Sequence, residues 1–426
     1  MTTRRNFLKT TAIGSLAGLL HEFPVPVLAD GTKEPLLEKL PPIRRLTNTP
    51  KFHWRGYYDV LLFDPTDRFV LANEVDFHGR SPKPEDSIRV GMIDLQDNNR
   101  WLELGSTCAW NWQQGCLLQW IPQTESTVIW NDREKDHFVA RIVDVKTKEK
   151  RTLDNPIYAL SPDGKWGFYP DFARLNSTRP GYGYCGIDDP NAQIAAPENS
   201  GIFRVNLTTG QSELIIPFSK IASIVPENGF SKGAKHWFNH LLVAPDSQRF
   251  LFLHRWRGEE EKSSWKTRLI TANFDGSDIF VLNPHLMTSH LIWRDSQHVL
   301  AWARHPSHGD KFYVFTDKTG NAEMVGGNLM TRDGHCTYVP NTNNEWILYD
   351  TYPDKNRNQN PNLYHIPSGR VVSLGHFFLP KEYNGEWRCD LHPNASRSGN
   401  FVTIDSPHEG NGRQVYLIDI KEIIRG

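Results

Sequence analysis

The chain has 426 residues, with 48 basic against 49 acidic side chains and a formal charge of −1. That balance removes the electrostatic case for nucleic acid as a partner, and the length admits a few ordinary domains or one large repeat array. Aromatic residues make up 12% of the sequence, including 14 Trp, which suits a β-rich core or surfaces that stack on sugars.

At the N-terminus, Arg4 and Arg5 precede Asn6, Phe7, Leu8 and Lys9. An apolar stretch follows from Thr11 to Leu20, and Val27, Leu28 and Ala29 supply the small residues a signal peptidase needs. The apolar stretch is too short to anchor in a bilayer. Residues 1–30 are therefore expected to be a removable signal, residues 31–50 a linker and residues 51–426 the folded body. The Arg-Arg-x-Phe-Leu-Lys pattern resembles the twin-arginine signal, which implies export of a folded protein to the periplasm or beyond. No later apolar run has spanning length, so no stable membrane insertion is expected once the signal is gone. Five cysteines (Cys108, Cys116, Cys185, Cys336, Cys389) make an odd set, not a disulfide framework.

Beyond the signal the pattern is short β-branched and aromatic runs separated by Asp, Asn, Gly, Ser and Pro turns, as in an all-β fold. One unit recurs: an apolar run, a Pro-Asp-Gly-like turn, a second run and an outer hairpin. The clearest copy runs from Ile157 through Ser161-Pro162-Asp163-Gly164 to Tyr169, with its hairpin at residues 201–210. Inner runs begin near Tyr58, Cys116, Ile157, His240, His290, His335 and His392. Seven four-stranded copies without a dividing linker predict a seven-bladed β-propeller, whose closure removes exposed sheet edges; two packed sandwiches are the rival. A Pro-, Gly- and Asp-rich insertion from about Asp171 to Asn199 is expected to cover one face.

Four consecutive copies place histidine at the start of the innermost strand. His240, His335 and His392 each precede the equivalent turn residue (Asp246, Asn341, Ser398) by six positions, and His290 precedes Asp295 by five. Inner strands line a propeller's channel, so the four imidazoles should converge near the axis. His254 ends the second strand of the copy that His240 opens, which predicts that the two are neighbours. Clustered imidazoles bind divalent transition metals or supply a general base; alternatively each is a hydrogen-bonded channel residue set by the repeat. Cys389, three residues before His392, is a candidate ligand, whereas strand alternation points Cys336 away from its neighbour His335. Arg255, Arg257, Arg388 and Arg179 offer guanidinium forks for a carboxylate. Tyr182 and Tyr184, on the Gly-rich loop after Arg179, suit sugar stacking, proton donation or loop anchoring.

These residues resemble the oligogalacturonate lyases and, less specifically, the ulvan lyases, seven-bladed propellers that cleave uronic-acid polysaccharides. Ser289-His290-Leu291-Ile292-Trp293 is similar to the segment carrying the family's first metal ligand. Asp390-Leu391-His392-Pro393 is similar to the later His-Pro-His-Pro segment, with Asp390 where the other His stands and no Gln at the family's position. The resemblance implies a divalent metal on His290 and His392; together with His335 and Cys389 from the histidine cluster itself they make the candidate metal set, for manganese or zinc. It also implies His254 as the base, aided by His240 and Arg255, and Tyr184 of the Gly-rich loop is a further catalytic candidate. Arg179, Tyr182, Arg257 and Arg388 would hold a uronic-acid-containing oligosaccharide for β-elimination. A different class remains open: a non-catalytic periplasmic propeller that docks a protein or glycan. A calcium lactonase fits less well, because such sites present carboxylates and Asn where this chain presents imidazoles.

Overall fold

The computed structural model describes residues 40–261 and 264–425. The export signal expected over residues 1–30 lies outside them. Residues 40–425 fold as seven four-stranded antiparallel sheets in a ring, a seven-bladed β-propeller. Blades 1 to 6 span residues 52–107, 119–153, 159–217, 235–283, 288–325 and 336–373. Blade 7 takes its three inner strands from residues 394–419 and its outermost strand, Ile43–Arg45, from the start of the described chain. Ile43, Arg44 and Arg45 pair with Ile418, Leu417 and Tyr416. Within the linker expected over residues 31–50, whose residues 31–39 lie outside the described ones, Ile43–Arg45 is thus a strand of the propeller. The segment is too short and polar to read as a strand alone, and it is held by backbone pairing to the far end of the chain.

The repeated turns set the register of every blade. In each, an inner-strand amide donates across the turn to the second strand: Asp64 to Phe69, Ser161 to Trp166, Ala244 to Arg249 and Ser396 to Phe401 in blades 1, 3, 4 and 7, at 2.8 to 3.1 Å. Three residues on, Asp67, Gly164, Ser247 and Gly399 adopt positive φ. The tight return needs this conformation, and Gly, Asp and Asn adopt it at least cost. Apolar side chains alternate between sheet faces and pack blade against blade. Phe168 and Ile202 of blade 3, for example, share one core with Phe238, Phe250 and Ile270 of blade 4.

Blade 1 departs from the repeat in a way that shapes the channel. Its inner strand pairs only at Phe52–Trp54 and again through Phe63 to Val70. Between these points Tyr57 and Tyr58 press into the channel. Gly56 permits the turn-in, with φ +112° and the Gln114 carbonyl 3.0 Å from where a Cβ would stand. Arg55 anchors the segment to blade 7. It bonds to the Asp405 carboxylate at 2.9 Å and to the carbonyls of Leu391 and His392 at 2.9 Å, fully buried. No helix among the described residues is long and apolar enough to cross a membrane.

Candidate functional site

The four channel histidines are in structural register. Each lies four residues ahead of the amide that closes its blade's turn: His240 before Ala244, His290 before Arg294, His335 before Val339 and His392 before Ser396. In blades 4 and 5 the ladder slips at these positions, between Asn239 and Leu242 and between Thr288 and Leu291. His240 and His392 have φ of +54° and +44°. Such bulges re-aim a side chain out of the sheet, and here they turn imidazoles toward the axis. The rings of His290 and His335 lie 4.2 Å apart and those of His335 and His392 4.4 Å. Tyr57 stands among them, stacked on His240 at 5.3 Å and edge-on to His392 at 4.8 Å.

Within the cluster, His335, Asp390 and His392 bring three ligand atoms within 4.8 Å of one another. His335 Nε2, His392 Nε2 and Asp390 Oδ1 are all buried without a hydrogen-bond partner among the described residues. Each is oriented from behind. Asp350 accepts from the His335 backbone N–H at 2.7 Å and holds Nδ1 at 3.0 Å, which leaves the Nε2 lone pair forward. Arg388 Nε donates to Asp390 Oδ2 at 2.7 Å. Burial and the neighbouring His335 hold His392 well below the usual imidazole range. Burial also lowers His335, but Asp350, Asp390 and Tyr182 outweigh it and keep its pKa above that range. His290 stands beside the trio, its Nδ1 bonded to Asp333 at 2.9 Å. Cys389 does not join them. Alternation past Asp390 turns its thiol into a buried contact with Leu379 and Tyr383, where burial pushes it up to about 12.

A second half of the site is cationic. Arg255 is buried, and desolvation followed by the nearby Arg179 pulls its guanidinium down to about 10. Neither arginine has a carboxylate partner among the described residues. Their Nε atoms make no hydrogen bond, and Arg179 only lies over the rings of Trp265 and Tyr182, at 4.4 and 4.9 Å. Tyr182 accepts from Arg388 Nη2 at 2.9 Å. Burial raises its phenol, yet Arg388 and Arg179 outweigh burial and leave it below the ordinary tyrosine value. His240, lowered by burial and then by Arg255, keeps a neutral imidazole against Tyr182, 5.5 Å between rings, and its Nδ1 meets Tyr158 Oη at 3.3 Å. An open depression of about 410 Å³, lined by Arg332, Asp333, Tyr352 and Lys355 among others, reaches the cluster at Asp333.

Besides Cys389, three expected residues lie elsewhere. His254 pairs across the sheet with Phe238 rather than His240. Its Nε2 bonds to His236 Nδ1 at 2.9 Å and its Nδ1 accepts from Arg268 at 3.0 Å, with the whole side chain buried. Strand alternation sends Arg255 to the site and therefore its neighbour His254 to the opposite face. Tyr184 is core: stacked on Phe172 at 4.3 Å, its hydroxyl accepts from Asn131 at 2.9 Å. Arg257 braces its own hairpin by donating to the Ser264 carbonyl at 3.0 Å. Tyr57, Asp333 and Asp350 were not anticipated. Asp350 had a signal: it sits across the hairpin from His335, where its amide meets the His335 carbonyl.

No family model and no curated protein matches this sequence. Solved structures do match its fold. An oligogalacturonate lyase from Vibrio parahaemolyticus superposes with a TM-score of 0.61 at 17% identity, over 90% of this chain and 94% of that one. An oligogalacturonate lyase in complex with manganese gives 0.63 at 14% identity over the same shares. The β-propeller domain of the Trilobed protease from Pyrococcus furiosus gives 0.50 at 8%, over 88% and 94%. The chain is thus similar in fold to oligogalacturonate lyases and to a propeller attached to a protease.

Proposed function

We propose that the protein is a metal-assisted lyase of uronic-acid-containing oligosaccharides, exported by the twin-arginine route. The observation that carries this reading is the pairing of an unsatisfied ligand trio with one buried arginine, Arg255, and one half-buried arginine, Arg179, that lack a carboxylate partner among the described residues. A carboxylated sugar and a divalent cation supply what each half lacks. His335, Asp390 and His392 would hold the metal. Two imidazole nitrogens and a carboxylate oxygen, without thiolate, suit manganese or zinc. Bound there, the metal supplies Lewis-acid stabilisation of negative charge on the uronate.

The remaining chemistry belongs to side chains already in place. Arg255 and Arg179 grip the sugar carboxylate, and neutralising it acidifies the C5–H bond. His240, neutral because burial and Arg255 disfavour its cation, takes the C5 proton. The electron pair released forms the C4–C5 double bond as the C4–O bond breaks. Tyr182 protonates the departing oxygen, and the Arg388 fork stabilises the phenolate it leaves.

The test incubates the mature protein with oligogalacturonate and with ulvan, with and without a chelator, and follows ultraviolet absorbance from unsaturated uronide. A rise abolished by chelator and by His240→Ala, but retained in His254→Gln, supports the assignment. Absence of any rise together with absence of metal binding overturns it in favour of a docking module.

A further inference from the structure

The histidine cluster occupies one end of the channel. At the other end, where the inner strands return through their turns, the channel opens into a separate cavity of about 460 Å³. Its wall is mostly apolar, from Val60, Leu160, Leu241, Ile292 and Trp293, with prolines of three turns at the rim. Tyr58 and Tyr158 separate the two ends. Tyr58 Oη donates to the Leu291 carbonyl at 2.8 Å and accepts from the Leu291 amide at 3.0 Å. Tyr158 lines the cavity while its hydroxyl reaches His240.

We propose that this cavity is a second binding site, distinct from the histidine cluster, for a small organic ammonium ion carrying an apolar body.

Asp59 supplies the recognition. Asp59 lines the cavity and, among the described residues, is paired with no Lys or Arg and accepts a hydrogen bond only from its own backbone amide. Desolvation raises it to about 7, with that amide and His335 only partly offsetting the rise. An ionised carboxylate in an apolar wall is costly unless a cation joins it. Beside it, the Gln119 amide nitrogen donates to the Leu117 and Tyr158 carbonyls, at 3.2 Å each, which leaves its side-chain oxygen to accept. The cavity thus presents acceptors to an ammonium head and an aliphatic and indole wall to its body, at a size typical of small-ligand pockets. Arg397, at the rim, does not reverse the preference toward anions. Its Nε is spent on the Phe63 carbonyl at 3.0 Å, and Asp64 and Asp67 stand beside it.

The experiment titrates the mature protein calorimetrically with 2-phenylethylammonium, with its neutral isostere 2-phenylethanol and with 3-phenylpropionate. At about pH 8 Asp59 is ionised in the free protein and the amine is charged. The ammonium should bind about tenfold or more tightly than the alcohol, as a charge-assisted hydrogen bond implies, and the propionate weakest. Asp59→Asn should bring ammonium and alcohol together. Leu61→Trp, on the half-buried wall, should abolish binding of both by filling the space. Equal affinity for ammonium and alcohol in the parent protein overturns the proposal whatever the variants do. So does a preference that survives in Asp59→Asn. Neither outcome depends on lyase activity.

Discussion

At the scale of single residues, the site is built from atoms whose partners point backwards. Asp350 fixes one tautomer of His335, and Arg388 fixes one oxygen of Asp390, so the remaining lone pairs face the same space. Outer partners of this kind typically contribute 10- to 100-fold in metal affinity. Asp350→Asn is therefore expected to weaken Mn²⁺ binding by about tenfold or more while leaving the fold intact, as read by calorimetry beside a circular dichroism melt. An unchanged affinity would show that His335 is oriented by its bulge and ring contacts alone. The same scale explains the exchange of roles between His254 and His240. Adjacent residues on a strand face opposite ways, so Arg255 and His254 cannot both serve one site.

At the scale of the element, the three inner strands of blade 4 carry a buried polar chain, His236, His254 and Arg268, that the channel does not use. Arg268 donates to His254, and His254 in turn donates to His236. Burial and then the arginines hold both imidazoles neutral, His236 at about 4 and His254 well below 6.5. An unfolded imidazole titrates near 6.5, so between the two values the unfolded chain binds more protons than the folded one. The stability these histidines contribute is complete at neutral pH and is lost as pH falls from 6.5 through about 4. Thermal melts should show the midpoint dropping from pH 7 to pH 5, and His236→Gln combined with His254→Gln should flatten that drop. A slope unchanged in the double variant would place the acid sensitivity elsewhere.

At the scale of the whole molecule, ring closure joins distant parts of the chain. Ile43–Arg45 completes blade 7, and Arg55 ties the blade 1 turn-in to Asp405, Thr403 and the His392 carbonyl. The Arg55–Asp405 pair is fully desolvated, and removing one partner of such a pair costs about 3–5 kcal/mol because the other charge is stranded. Arg55→Ala should lower unfolding stability by that amount in denaturant titration and also weaken Mn²⁺ binding, since it releases the backbone at His392. Loss of stability with undiminished metal affinity would separate closure from the site.

The sequence by itself determined the repeat: seven apolar runs with their Pro-, Asp- and Gly-bearing turns, and four histidines at one repeat position. Turn chemistry and side-chain period are local, so copies can be aligned by eye and their inner-strand residues placed on one axis. What only the tertiary structure decided was which neighbours those residues meet. Tyr57 and Tyr58 enter the channel because blade 1 leaves its ladder for several residues, and no local pattern announces that departure. Asp390 joins the ligand trio while Cys389 turns into the core, a choice made by the path of one irregular segment. The unpaired arginines come together from blade 4 and the insertion loop, elements whose meeting is set by packing across the ring and not by spacing along the chain.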